Sequence, residues 1–220
     1  MCANYAPTRS DRLRADFGVD VLRADYVDDC YPGHSAPFLR QEDHGLRADL
    51  GVFGLIPPWS RDGRNFRQCY NARSETVAEK PSFRHAWQQH QRCVVPADAF
   101  YEPSYESGRA VRWRIESDDG RPLRIAGLWE RWRAPSGDPV LSFTLLTINA
   151  DAHAVMARFH APGDEKRSVV LLDDDGMRAW LDPHTRHAED LLAPFDPQRV
   201  RTYAAPRPPL GVFALTGQTF

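Results

Sequence analysis

Ala110-Val111-Arg112-Trp113-Arg114-Ile115-Glu116 alternates apolar and charged side chains one residue at a time. A period of two puts Val111, Trp113 and Ile115 on one side of an extended strand and the arginines on the other, so one face of this strand is expected to be buried. The same reading extends in both directions. Downstream, Leu123 to Glu130, Val140 to Ile148 and a run near Val169 to Leu172 are short apolar or alternating stretches, and upstream Gly51 to Ile56 and Arg92 to Val95 are two more. Helical patterns are shorter: Ser10 to Asp16, Ser74 to Lys80, Ser82 to His90 with Ser82 as N-cap, Asn149 to Arg158 with Asn149 as N-cap, Asp174 to Leu181 and Thr185 to Leu192. Eighteen prolines punctuate the loops, and no repeat or low-complexity tract appears. Many strands with interspersed helices predict an α+β fold, a β-barrel-like core with peripheral helices in one compact domain over residues 1–220.

Composition narrows the class. The 220 residues are 42% hydrophobic and 26% charged, with 28 Lys+Arg against 30 Asp+Glu, values that exclude disordered, collagenous and coiled-coil chains. No apolar run approaches the roughly 20 residues that span a bilayer, and the first residues lack the basic-then-apolar layout of a signal peptide, so a cytoplasmic protein that does not enter membranes is expected. Cys2, Cys30, Cys69 and Cys93 lie far apart, without a C-x-x-C pair or a Cys/His cluster at zinc spacing. Reduced thiols, no metal and no cofactor are therefore expected. The 28 basic residues include only two lysines, Lys80 and Lys166. Arginine grips phosphate with a planar fork of donors, so an arginine-lined groove is compatible with a nearly neutral chain.

Five segments carry candidate chemistry. Cys2 follows the initiator Met, and removal of Met1 would give one residue an α-amine and a thiol together. Such a 1,2-aminothiol titrates near neutral pH; it condenses with aldehydes to a thiazolidine, or attacks an amide. In Cys69-Tyr70-Asn71-Ala72-Arg73-Ser74-Glu75, Asn71 offers a donor and an acceptor to a substrate and Arg73 a fork for phosphate, or both are plain loop residues before a helix. Glu102, beside Phe100 and Tyr101, is a carboxylate whose desolvation would suit acid/base work, or a strand-end glutamate in water. His160 follows a helical stretch, where an imidazole either meets the helix dipole or polarises a hydroxyl. Phe53-Gly54-Leu55-Ile56-Pro57-Pro58-Trp59 is an apolar strand ending in a stiff turn whose Trp59 packs in the core or stacks on a base. The other seven histidines have no such context.

Met1-Cys2, Gly54-Leu55-Ile56-Pro57-x-Trp59, Asn71-Ala72-Arg73-Ser74-Glu75, Arg92-Cys93-x-Val95-Pro96-Ala97-x-x-Phe100-Tyr101-Glu102 and Phe159-His160 together strongly resemble the SOS response-associated peptidase (SRAP) family, in order from Cys2 to about Leu172. Residues 173–220 would then complete the domain. The resemblance implies a distorted β-barrel with a DNA groove, and a monomer whose partner is single-stranded DNA containing abasic sites. It implies that Cys2, once Met1 is lost, bonds to the ring-opened deoxyribose as a thiazolidine. By the same resemblance Asn71 holds the Cys2 end, Glu102 serves as acid and base in ring opening and crosslink reversal, and His160 binds the sugar hydroxyl. Arg73, Thr147 and Arg167 match positions near the DNA backbone, and Phe53 with the Gly54 to Trp59 turn matches a wedge for strands or bases. The chain departs from the family pattern at Ala3-Asn4, where Gly-Arg is usual, at Pro103 after Glu102, and in Ala161 to Lys166, inserted between His160 and Arg167. Two other classes remain: a thiol peptidase or amidohydrolase using Cys2, and a passive single-strand-binding module.

Overall fold

Arg92–Ser104 forms one strand of 13 residues, β5 in the chain order below, and almost every residue in it is buried because it pairs with two different sets of neighbours. The structure, a computed structural model, describes residues 2–21 and 25–207. Along the chain come β1 (Tyr5–Pro7), α1 (Ser10–Phe17), β2 (Ser35–Glu42), β3 (Gly45–Phe53), β4 (Asn71–Arg73), α2 (Arg84–Gln88), β5 and β6 (Val111–Ser117). They are followed by β7 (Leu123–Arg133), β8 (Pro139–Asn149), β9 (Arg167–Val169), β10 (Leu171–Leu172), α3 (Asp174–Leu181) and β11 (Val200–Ala204).

The first half of β5 runs antiparallel to β7, from Arg92 opposite Leu128 to Ala97 opposite Leu123, and meets β2 where Leu39 faces Val94. β7 pairs antiparallel with β8, β8 pairs in parallel with β3, and β3 pairs antiparallel with β2. The circuit β5-β7-β8-β3-β2 therefore returns to its own start, a closed five-stranded barrel with no free edge on those strands. The second half of β5 leaves the circuit. Phe100 to Ser104 pair with β6, and β6 pairs in turn with β11, while β1 lies on the other side with Tyr5 opposite Phe100. The fold is α+β, with a distorted barrel, added strands and peripheral helices.

Closure explains the sequence pattern. Within β5, Cys93 and Val95 face the barrel interior and Val94 the outer layer; in β8, Phe143 and Leu145 face in and Leu146 faces out. Both faces are covered, so these strands read as continuous apolar runs rather than clean alternation. The interior is aromatic: Phe53 stacks on Phe143 at 5.6 Å between centroids and meets Tyr5 edge-on at 5.2 Å. Outside the barrel, Leu13 of α1, Ala86 of α2 and Trp180 of α3 pack on Leu39, Val94, Ala126 and Leu128. Trp180 also donates its indole N–H to the Cys93 carbonyl at 2.9 Å.

Several helices differ from the sequence expectation. The helix expected over Asn149 to Arg158 does not form: Asn149 ends β8 and the turns after it lead to a short 3-10 segment at Met156–Arg158, where the His153 ring takes the N–H groups of Val155 and Met156 that a helix would send back along its axis. Ser74 to Lys80 is likewise a chain of turns, and Thr185 to Leu192 contains only the 3-10 segment Ala188–Leu191. α2 is shorter than expected, with Phe83 and not Ser82 at its N-cap. α3 forms as expected, and its cap is Asp173, which accepts from the Gly176 N–H at 2.7 Å.

Candidate active site around Cys2

Cys2 is 1% exposed and belongs to the inner core, where the chain leading into β1 crosses the end of the barrel beside β5. Its position is set through its backbone. Asn71 Nδ2 donates to the Cys2 carbonyl at 2.7 Å, and Asn71 is held by the parallel pairing of β4 with β8. The Cys2 thiol donates to the Asn4 carbonyl at 3.5 Å, which also receives the Tyr101 N–H at 3.0 Å. Burial pushes the thiol well above the usual range, and the charge of Glu102 adds to the shift, which backbone hydrogen bonding at Asn4 only partly offsets. The sulfur in this environment keeps its proton at neutral pH.

Glu102 is 2% exposed, and its Oε2 lies 2.9 Å from Nε2 of the buried His160. The two are set by one local geometry. β5 carries Glu102 opposite Trp113 of β6, and the His160 N–H donates to the Pro103 carbonyl at 2.8 Å. His160 has φ of 67°, a left-handed backbone that a side chain with a Cβ adopts at a cost, here fixed by that hydrogen bond and by Lys166 Nζ on the His160 carbonyl at 3.2 Å. Asn71 Oδ1 is buried with no hydrogen-bond partner among the described residues. A buried thiol, an amide with a spare acceptor and a carboxylate paired to an imidazole thus converge.

The Asn4 side chain is the hub of a clamp that the sequence did not signal. Its Nδ2 donates to Asp29 at 2.5 Å and to the Cys30 carbonyl at 3.2 Å, while its Oδ1 accepts from Arg112 Nε at 3.0 Å. Arg112 lies over the Tyr101 ring at 3.3 Å and also binds Asp29 at 2.9 Å. Only the alternation that places Arg112 on the outer face of its strand pointed this way. These residues edge a hollow of about 790 Å³ that opens beside Glu102, between Tyr31, Tyr101, Pro103 and Arg112.

The residues expected on DNA divide in two. Trp59 is 55% exposed, with its indole N–H on the Pro81 carbonyl at 3.1 Å, and Arg73 is half exposed. Phe53 is corrected: it is 0% exposed in the barrel core and offers nothing to a strand. Phe53 ends β3 with its ring among Tyr5, Tyr70 and Phe143 in the inner core, and Gly54, with φ of 110°, turns the chain away from that strand. A Cβ at Gly54 would lie 2.3 Å from the Phe66 carbonyl oxygen, so no other residue fits this turn. Thr147 is buried, and Arg167 is buried against the carboxylates of Glu75 and the partly exposed Glu165. Arg167 binds Glu75 at 2.8 and 2.9 Å and the Thr147 carbonyl at 2.7 Å.

Among the described residues no group of three His, Cys, Asp or Glu side chains could hold a metal ion, and no helix is long and apolar enough to cross a membrane. The chain is similar to the abasic site processing protein YoqW of Bacillus subtilis (strain 168), 34% identical over 155 residues, which are 69% of this chain and 66% of that one. It is also similar to the abasic site processing protein HMCES of Xenopus tropicalis, 30% identical over 172 residues, 69% of this chain and 50% of that protein. The chain thus spans just under two thirds of the bacterial relative and half of the vertebrate one. A crystal structure of a protein from Bordetella bronchiseptica superposes with a TM-score of 0.85 at 37% identity, covering 93% of this chain and 99% of that one. The family model for SOS response associated peptidase matches residues 1–207. With its barrel, its buried Cys2 and a match over nearly its whole length, the chain belongs to the SOS response associated peptidase (SRAP) family.

Proposed function

We propose that the protein processes abasic sites in single-stranded DNA by bonding Cys2, freed of Met1, to the ring-opened deoxyribose. The observation that carries the reading is the grip of Asn71 on the Cys2 peptide with the Glu102–His160 pair beside it, in a family whose relatives are named for abasic-site processing.

The order of bond formation follows from the thiol's environment. A buried sulfur that keeps its proton is a poor first nucleophile, so the α-amine adds to the C1′ aldehyde first. The carbinolamine loses water to an imine. Sγ then adds to the imine carbon, its proton passes to the nitrogen, and a five-membered thiazolidine closes. Protein plus aldehyde gives adduct plus one water. Glu102 shuttles the protons in ring opening, in dehydration and in the reverse reaction, while His160 orients the carboxylate and meets the sugar hydroxyl. The spare Oδ1 of Asn71 accepts from the new amine. Arg73 and Trp59 meet the strand outside the site.

The test is intact mass before and after mixing with an abasic single-stranded oligonucleotide. The expected starting mass lacks Met1, and the product equals protein plus DNA less one water and disappears in Cys2→Ala. A Met-free protein that forms no adduct would overturn the reading.

A further inference from the structure

The segment between His160 and Arg167 holds a contact that this chemistry does not use. Glu165 sits between two arginines, Oε2 at 2.9 Å from Arg73 Nη1 and Oε1 at 2.8 Å from Arg167 Nη1. Asn149 Nδ2 approaches the same Oε1 at 3.4 Å. Arg73 ends β4, Asn149 ends β8 and Arg167 begins β9, so donors from three strands converge on one anion. That anion has one negative charge and two oxygens facing guanidinium forks. A backbone phosphate presents the same charge and the same two-oxygen face.

The carboxylate is placed there by its neighbours. Lys166 closes the loop by donating to the carbonyls of His160 and Ala161 at 3.2 and 2.7 Å, and its own N–H binds Asp151 at 2.9 Å. Glu75 holds the buried Arg167 as well, on Nη1, which it shares with Glu165, and on Nη2. Hydrogen bonding from Arg167 keeps the Glu165 carboxyl below the usual carboxylate range, so it is an anion at neutral pH.

We infer that Glu165 is an autoinhibitory residue whose carboxylate occupies the seat of a DNA backbone phosphate and competes with it for Arg73 and Arg167. The inference rests on the reading that this face takes single-stranded DNA. A phosphate arriving here exchanges with an anion of equal charge, so the two arginines add little affinity for an undamaged strand. At an abasic site, bonding to Cys2 supplies free energy that an intact strand cannot, and Glu165 is displaced. The segment Ala161 to Lys166 thus holds back binding to DNA that has no lesion.

The experiment measures fluorescence polarisation of labelled oligothymidylate, which has no abasic site, across a salt series. Glu165→Gln and Glu165→Ser are each expected to bind about tenfold tighter than the unaltered protein, the worth of one charge-assisted contact. The logarithmic salt slope should steepen by about 0.7 for each phosphate newly engaged. Adding Arg73→Ala to Glu165→Gln should remove most of the gain. Unchanged affinity and slope in both Glu165 variants with unaltered melting, or a gain that survives Arg73→Ala, would overturn the inference. Its failure is separable from that of the crosslinking reading. If the unaltered protein forms the Cys2 adduct while the Glu165 variants bind intact DNA no better, only this inference falls. If an Arg73-dependent gain appears and no adduct ever forms, only the crosslinking reading falls.

Discussion

Asn71 Nδ2 donates to the carbonyl oxygen of Cys2 at 2.7 Å, so Cys2 is held through its peptide group and its thiol and nitrogen lie outside that bond. Asn71→Ala removes that grip from a buried site and is expected to cost about 1–3 kcal/mol of stability. Adduct formation should slow at least about tenfold, the fall expected from misplacing a reacting group. Asn71→Asp turns an acceptor toward the carbonyl and should be worse. Thermal melts and an adduct time course on the same samples check both statements.

The Glu102–His160 pair gives two variants with opposite profiles. Glu102→Gln keeps the shape and hydrogen-bonding capacity but has no proton to exchange, so melting should hardly change while formation and reversal slow by about 10²–10⁴. His160→Ala leaves a buried carboxylate without its imidazole and should cost roughly 3–5 kcal/mol. Equal melting losses in the two variants would refute the separation of roles.

Alkaline pH should destabilise the protein through its buried thiols. Burial raises Cys30 to about 12, despite an opposing hydrogen bond from Tyr5, and raises Cys93 well above the ordinary range. In the unfolded chain a thiol ionises near 8.5, so above that pH the unfolded state releases protons that the folded state retains. Stability is full below about pH 8.5 and falls as pH rises, by about 1.4 kcal/mol per pH unit for each such thiol. Melting temperature followed from neutral pH to pH 10 should show the decline, and Cys93→Ala should flatten it.

Phe53 and Trp59, six residues apart, should respond oppositely to truncation. Phe53→Ala empties a site among Tyr5, Tyr70 and Phe143 and should cost about 3–5 kcal/mol. Trp59→Ala should leave melting within about 0.5–1.5 kcal/mol, the net worth of its one hydrogen bond, and weaken single-strand binding by about 1–3 kcal/mol if a base stacks there. A melting loss at Trp59 equal to that at Phe53 would place it in the core.

The strand at Val111 to Ile115 was legible, although only Ile115 is buried and Val111 and Trp113 are half-buried like the arginines between them, and so were the apolar runs of β5, β7 and β8. β2 was missed because Ser35–Glu42 contains Pro37 and buries five consecutive residues, including Arg40, whose charge is met by Asp49 and the Trp129 ring. β4 was read as loop since three residues cannot show a period; it exists because β8 offers it a parallel edge. Cys2 stood out by its place after Met1, Asn71 in a polar segment, Glu102 as a carboxylate among aromatics and His160 as an imidazole after a helical pattern, and the fold brings them together. Asn4, Arg112 and Glu165 did not stand out, because their importance lies in partners between 25 and 108 residues away or in an insertion. Phe53 was misplaced because its burial depends on the closure of a barrel in which β3 ends at that residue, which no local pattern reveals.

β5 joins the barrel at its beginning and carries Glu102 near its end, and β1, just after Cys2, docks on it across some ninety residues of chain. A pairing so distant in sequence closes a long loop, an entropic cost that the contacts of the folded barrel must offset. Cys2, three residues ahead of Tyr5, and Glu102, two residues after Phe100, therefore come together only when β1 docks on β5. On the chemistry proposed above, a chain whose β1 has come away from β5 would keep Cys2 but lose Glu102 beside it, so one three-residue strand ties reactivity to completion of the fold.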